Sequence, residues 1–124
     1  MLNQAVFMGR LTAPIEIRTT QSGKTVGGFT LAVNRNGKDK ETDFIPCTAW
    51  EHTATFIERY FGKGSLIAVT GRMQSRRWED KNGNKRTSIE CLVNSVDFTG
   101  EKAAQKEPEE DFSAYDGNPD DLPY

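Results

Sequence analysis

Histidine, cysteine and long apolar runs are nearly missing from this chain, and each scarcity removes a class of chemistry. The single histidine, His52, stands beside Glu51 with no second imidazole nearby, so a surface or helix-end role outweighs general-base chemistry. The two cysteines, Cys47 and Cys91, sit singly inside apolar stretches with no Cys-x-x-Cys or Cys/His neighbour, which reads as buried thiols in a reducing compartment. Asp39, Glu41 and Asp43 alternate as metal ligands do, yet Lys38 and Lys40 neutralise them, and neither the glycine nor the distal glutamate of a calcium loop follows. No phosphate-cradling glycine loop precedes a helix. The inventory is poor for an enzyme, and no catalytic residue, metal or cofactor is expected. No run reaches the ~18 apolar residues of a membrane span. The amino-terminal segment also lacks the charged start and apolar stretch of a secretory signal. The expectation is a cytoplasmic protein with no membrane partner.

What is present is charge, divided unevenly. From Gly100 onward the chain carries eight acids against two bases, a net −6, while the first 99 residues carry fourteen bases against ten acids, a net +4. A basic body tied to an acidic tail implies a body that meets polyanions and a tail with a separate task. The tail holds Pro108, Pro119 and Pro123 without a periodic apolar stripe, so residues 100–124 are expected to be disordered. They end on Asp120, Asp121, Leu122, Pro123 and Tyr124, an acidic pair before a short apolar tip that an apolar pocket with a basic rim would fit. Residues 1–99 are left as one domain, near the commonest domain size.

Short β-branched and aromatic runs in that body mark five strands, over residues 3–11, 26–35, 43–50, 65–78 and 86–98. Gln21-Ser22-Gly23-Lys24 and Asp80-Lys81-Asn82-Gly83-Asn84 carry hairpin-turn chemistry, and the second joins the last two strands. Ala54, Ile57 and Phe61 recur at helical spacing until Gly62-Lys63-Gly64 stops them, predicting one helix over 51–61 with Thr53 as its cap or in its first turn. The fold expected is all-β with one helix, a five-stranded OB-fold barrel whose helix lies between strands three and four, followed by the disordered acidic tail. Gly9, Gly28 and Gly71, inside strand runs, suit the bends and bulges of such a barrel.

Side chains alternate faces along a strand, so Ile45, Cys47 and Ala49 form a core face, and Phe44 and Trp50 fall on the opposite, outer side. In the fourth strand Ile67, Val69 and Met73 share one face, while Arg72, Arg76 and Trp78 take the other. Leu66 and Ala68 share that second face and blur the separation. Arg76-Arg77-Trp78 leads into a hairpin carrying Lys81, Lys85 and Arg86. Singly, Phe44 and Trp50 read as well as partly buried packing residues, and Arg10, Arg35, Lys38, Lys63 and Arg72 as solvated surface. Together, outward rings and cations match single-stranded nucleic acid, whose unpaired bases stack on aromatics and whose phosphates attract Arg and Lys. A duplex hides those base faces.

These residues resemble the bacterial and bacteriophage single-stranded DNA-binding proteins, SSB, of the homotetrameric OB-fold kind. The resemblance rests on Met1-Leu2-Asn3 leading to Gly9-Arg10-Leu11, on Phe29-Thr30-Leu31-Ala32-Val33-Asn34, on Gly62-Lys63-Gly64-Ser65, on Gly71-Arg72 followed by Arg76-Arg77-Trp78, and on the acidic tip. It implies base stacking by Phe44, Trp50 and Trp78. It also implies backbone contacts by Arg10, Lys63, Arg72, Arg76 and Arg77, to which the basic residues Arg35, Lys38, Lys85 and Arg86 are added. It further implies a homotetramer at the nucleoid or replication sites, and recruitment of replication, recombination and repair proteins through Asp120 to Tyr124. Two departures stand out. Where many relatives place another stacking tryptophan, this chain has Arg35, Asn36, Gly37 and Lys38, and it ends Leu-Pro-Tyr where the family usually ends Ile-Pro-Phe. The alternative is an OB-fold RNA-binding or primosome-type adaptor whose tail is only a solubilising shield.

Overall fold

Six strands and one helix follow one another in the computed structural model, which describes residues 1–38 and 40–101. They are β1 (Ala5–Leu11), β2 (Glu16–Thr19), β3 (Thr25–Asn34), β4 (Thr42–Trp50), α1 (Glu51–Tyr60), β5 (Leu66–Glu79) and β6 (Lys85–Asp97). Asp39 and residues 102–124, including the tip from Asp120 to Tyr124, lie outside the described residues. Antiparallel ladders join β1 to β5, β5 to β6, and β3 to β4. Two short seams close the ring: β1 meets β3 at Arg10↔Ala32 and Leu11↔Leu31, and β4 meets β6 in parallel at Cys47↔Cys91 and Thr48↔Leu92. The result is the expected closed five-stranded barrel, with α1 between its third and fourth strands. Among the described residues no helix is long and apolar enough to cross a membrane.

The alternation in the sequence does not reveal β2, which pairs with β3 from Glu16↔Gly28 to Thr19↔Thr25. Four residues with one large apolar side chain give no period. The turn at 21–24 was the available signal, because a hairpin needs a strand on both sides. That turn and the one at 80–84 share a design. Thr20 and Asp80 open them, Gly23 and Gly83 take φ of 88° and 84°, and the opening side chain accepts a backbone N–H from Lys24 or from Asn82 and Asn84.

Inside the barrel the expected core faces are present. Ile67, Val69, Ala49 and Cys47 are buried, as are Ala54, Ile57 and Phe61 of the helical stripe. Each large side chain so buried contributes about 1.5–3 kcal/mol of transfer free energy. Burial also pushes the Cys47 and Cys91 thiols up from their ordinary range, so both stay protonated and inert. The helix begins at Glu51, whose φ of 51° turns the chain sharply after Trp50 and whose carboxylate accepts the Thr25 N–H at 2.7 Å. Thr53 lies in the first turn and no side chain caps the helix. Of the three glycines expected at bends, two are required by packing. A Cβ at Gly71, beside the bulge at Thr70/Gly71, would collide with the Leu92 carbonyl oxygen, and one at Gly9 would lie 2.6 Å from the Ala32 oxygen. Gly28 has open space instead, its nearest neighbour being 3.9 Å away.

Candidate nucleic-acid interface

The outer face of β4 carries Phe44, Pro46, Thr48 and Trp50. Phe44 is 62% exposed and Trp50 is 40% exposed. Cross-strand partners share a face, so β3 supplies Ala32 opposite Phe44, Thr30 opposite Pro46 and Gly28 opposite Thr48. These small side chains leave a low floor around the Phe44 ring. Trp50 sits beyond them, opposite the buried Val26. The alternation Gly28-x-Thr30-x-Ala32 is visible in the sequence, but which ring it flanks depends on register, a long-range property.

The same face continues across the barrel. Thr48 is paired with Leu92, and Leu92 with Arg72, so the outer row passes from β4 through β6 to β5. Beyond Arg72 it follows the even positions Gln74, Arg76 and Trp78, partnered by Glu90, Ser88 and Arg86. All three predicted rings therefore lie on one continuous sheet face. Trp78, 44% exposed, donates its indole N–H to Ser88 Oγ at 2.7 Å, which sets the plane of the ring. Glu90, an acid among the arginines of β5 and β6, is buried and accepts from Gln74 Nε2 at 2.9 Å, with Arg76 Nε at 3.9 Å. Its charge is thus answered within the face.

The predicted cations divide into groups. Arg72, Arg76 and Arg86 share the aromatic face, and Arg86 also holds Asp80 at 3.0 Å. Arg77 has the opposite parity and pairs with Thr87, so it lies on the back of the β5–β6 ribbon. Lys85, partnered by Glu79, lies there too. An open cleft at the ribbon's end is lined by Arg77, Trp78, Glu79, Lys85, Arg86 and Thr87. Lys38 is exposed in the β3–β4 loop and Lys63 in the turn after α1. Two further arginines, each about half exposed, bond other groups of the protein. Arg35 bonds Asp43 through two atoms at 3.0 Å and Glu41 at 2.7 Å, holding the Asp43 carboxyl below the usual carboxylate range. Arg10 grips both oxygens of Glu101 at 2.8 and 2.9 Å and also reaches the Gly64 carbonyl. Neither pairing is readable from sequence, because an arginine's partner is chosen by the fold.

Away from this face, Phe98 stacks on Phe61 at 5.2 Å and meets Phe56 and Tyr60 edge-on, tying the end of β6 to α1. Phe98 is therefore a packing ring despite its exposure, unlike Phe44.

A closed five-stranded barrel with its helix between the third and fourth strands, and an open row of rings across one face, defines an OB-fold domain. Within that class the chain belongs to the Single-strand binding protein family, which it matches over residues 2–99. It is 44% identical over 110 residues to Single-stranded DNA-binding protein 1 of Staphylococcus aureus strain COL, covering 86% of this chain and 66% of that protein. It is 43% identical over 102 residues to the Single-stranded DNA-binding protein of Staphylococcus aureus strain N315, covering 79% and 65%. With the Single-stranded DNA-binding protein of Caldanaerobacter subterraneus subsp. tengcongensis it shares 37% identity over 136 residues, covering 98% and 91%. The chain thus spans just under two thirds of the staphylococcal proteins and most of the Caldanaerobacter one.

Proposed function

We propose that this protein is a non-enzymatic, sequence-tolerant binder of single-stranded DNA, which it protects by stacking bases on Phe44, Trp50 and Trp78 and neutralising phosphates with Arg72, Arg76 and neighbouring cations. The observation that carries this reading is the single outer face that three exposed rings share with Arg72, Arg76 and Arg86, with small β3 residues beside Phe44. Bases offer π-faces to such rings whatever their identity, and a stacked base contributes roughly 1–3 kcal/mol, a magnitude measured on single-strand-binding barrels themselves. The names of the relatives point the same way.

Two finer parts of the reading have their own support. Assembly as a homotetramer is supported by β1, whose outward Val6 and Met8 are 66% and 55% exposed and form an apolar row that a second copy would cover. Recruitment of replication, recombination and repair proteins through Asp120, Asp121, Leu122, Pro123 and Tyr124 is supported by the −6 against +4 charge division and by the apolar tip that follows the acidic pair. The domain division at 1–99 and 100–124 belongs to the same reading.

Tryptophan fluorescence titrated with dT oligomers of several lengths, with matched RNA and duplex DNA at one stated salt, tests the function. Quenching by dT that weakens steeply with salt and exceeds that by duplex is expected. Preference for RNA would instead support the adaptor reading. Mass measurement of the free protein and the complex tests the tetramer.

A further inference from the structure

β5 leaves the barrel at one point. Its last register pair with β1 is Ala5↔Gly71, beside the bulge at Thr70/Gly71, and from Gln74 to Glu79 it pairs with β6. The next position of the β1 ladder on the same side would set residue 3 opposite Met73. The backbone of residue 3 is not part of β1, but its side chain takes over the ladder. Asn3 Nδ2 donates to the Met73 carbonyl at 2.8 Å, and the Met73 N–H donates to Asn3 Oδ1 at 3.0 Å. A carboxamide is the side-chain group that offers one donor and one acceptor in the geometry of a peptide unit, so it satisfies both backbone groups of Met73 at once. Met73 stands three residues before Arg76 and five before Trp78, at the root of the ribbon.

We propose that Asn3 is a positioning residue for the nucleic-acid interface: by closing the β1 ladder on Met73 it holds the β5–β6 ribbon at the angle that keeps Trp78 and Arg76 in line with Phe44 and Trp50. This rests on the single-stranded DNA reading above. Five residues of extended strand place Trp78 about 17 Å beyond Met73, so a tilt of about 10° at the root moves the ring by about 3 Å, most of a base-stacking distance. The bulge at Gly71 permits such a tilt by interrupting the β5–β6 register, and the Asn3 bonds oppose it on the other edge of β5.

The test compares Asn3→Ala, Trp78→Ala and the double variant with the parent, using a dT oligomer as probe and amide hydrogen exchange without DNA. Asn3→Ala is expected to speed exchange across residues 73–79 while Ile67 and Val69 stay protected, and to weaken dT binding by about three- to tenfold, the scale of lost hydrogen bonds. Because Asn3 acts through the ring, Trp78→Ala is expected to cost less in the Asn3→Ala background than in the parent. Asn3→Asp, which keeps the acceptor and sets a carboxylate against the Met73 carbonyl, serves the same comparison where the alanine variant does not fold. Unchanged exchange across 73–79, or strictly additive losses in dT affinity, would overturn the proposal. A parent that does not bind dT would overturn the underlying reading and the binding consequence with it, and the exchange data separate that failure from an Asn3 contact that holds nothing.

Discussion

The two halves of the β5–β6 hairpin are continuous strands under opposite physics. In the barrel half, Ile67, Val69, Cys91 and Val93 are buried and only the outer residues meet solvent. In the ribbon half, from Ser75 to Glu79 and from Lys85 to Thr87, every residue is exposed. The first half is held by apolar burial. The second is held by its ladder, by the Asp80 turn, by the Trp78 to Ser88 bond and by Asn3 at its root. Keeping rings and guanidinium groups open to a ligand means giving up burial, so the ribbon's geometry depends on polar contacts that are individually weak.

The sharpest way to break this contrast is to truncate one residue in each half. Ile67→Ala should lower unfolding free energy by about 2–5 kcal/mol in a denaturant titration, through lost transfer energy and the cavity left behind. Trp78→Ala and Trp50→Ala should leave the denaturation midpoint almost unmoved and weaken dT binding by about 1–3 kcal/mol each, with Phe44→Ala similar or smaller. Loss of fold in the tryptophan variants would return both rings to the core. Arg72→Ala should reduce the salt dependence of dT binding by about one phosphate's worth of slope, whereas Arg35→Gln should change affinity by less than about twofold, because Glu41 and Asp43 occupy its donors.

The smallest expected effect is on pH. The Asn84 backbone N–H, then the Arg86 guanidinium, hold the Asp80 carboxyl below its ordinary value. A carboxyl lowered in the folded state stabilises the turn fully above its unfolded pKa of about 3.9, and that stabilisation is lost as pH falls through the lower folded value. Protection of the Asn82 and Asn84 amides should therefore be flat from pH 7 to 5 and fall only under acid conditions. In Asp80→Asn that acid-dependent fall should be absent.

Much of this was legible because it depends on short-range periodicity. Alternation along β4 and β5 separated Cys47 and Ile67 from Phe44 and Trp78, and the helical spacing of Ala54, Ile57 and Phe61 named the buried stripe. Parity also contained the separation of Arg77 from Arg76, though reading Arg76-Arg77-Trp78 as one cluster obscures it. What escaped is nonlocal. β2 is too short to carry a period, Gly27 rather than Gly28 is crowded because Ile15 folds over it, and the partners of Arg10 lie 54 and 91 residues away. Asn3 looked like part of a strand, and its contact with Met73 spans 70 residues.

By itself, then, the sequence determined the strand and helix types, the inward and outward faces, the two turns and the division of charge, since each follows from neighbouring side chains and backbone preference. Only the tertiary structure decided that the outward faces of β3, β4, β6 and β5 merge into one surface, which cations remain available on it, and where the ribbon is fastened. Those outcomes depend on strand register and on hydrogen bonds between distant residues, and a one-residue change of register would send every one of these side chains to the other face.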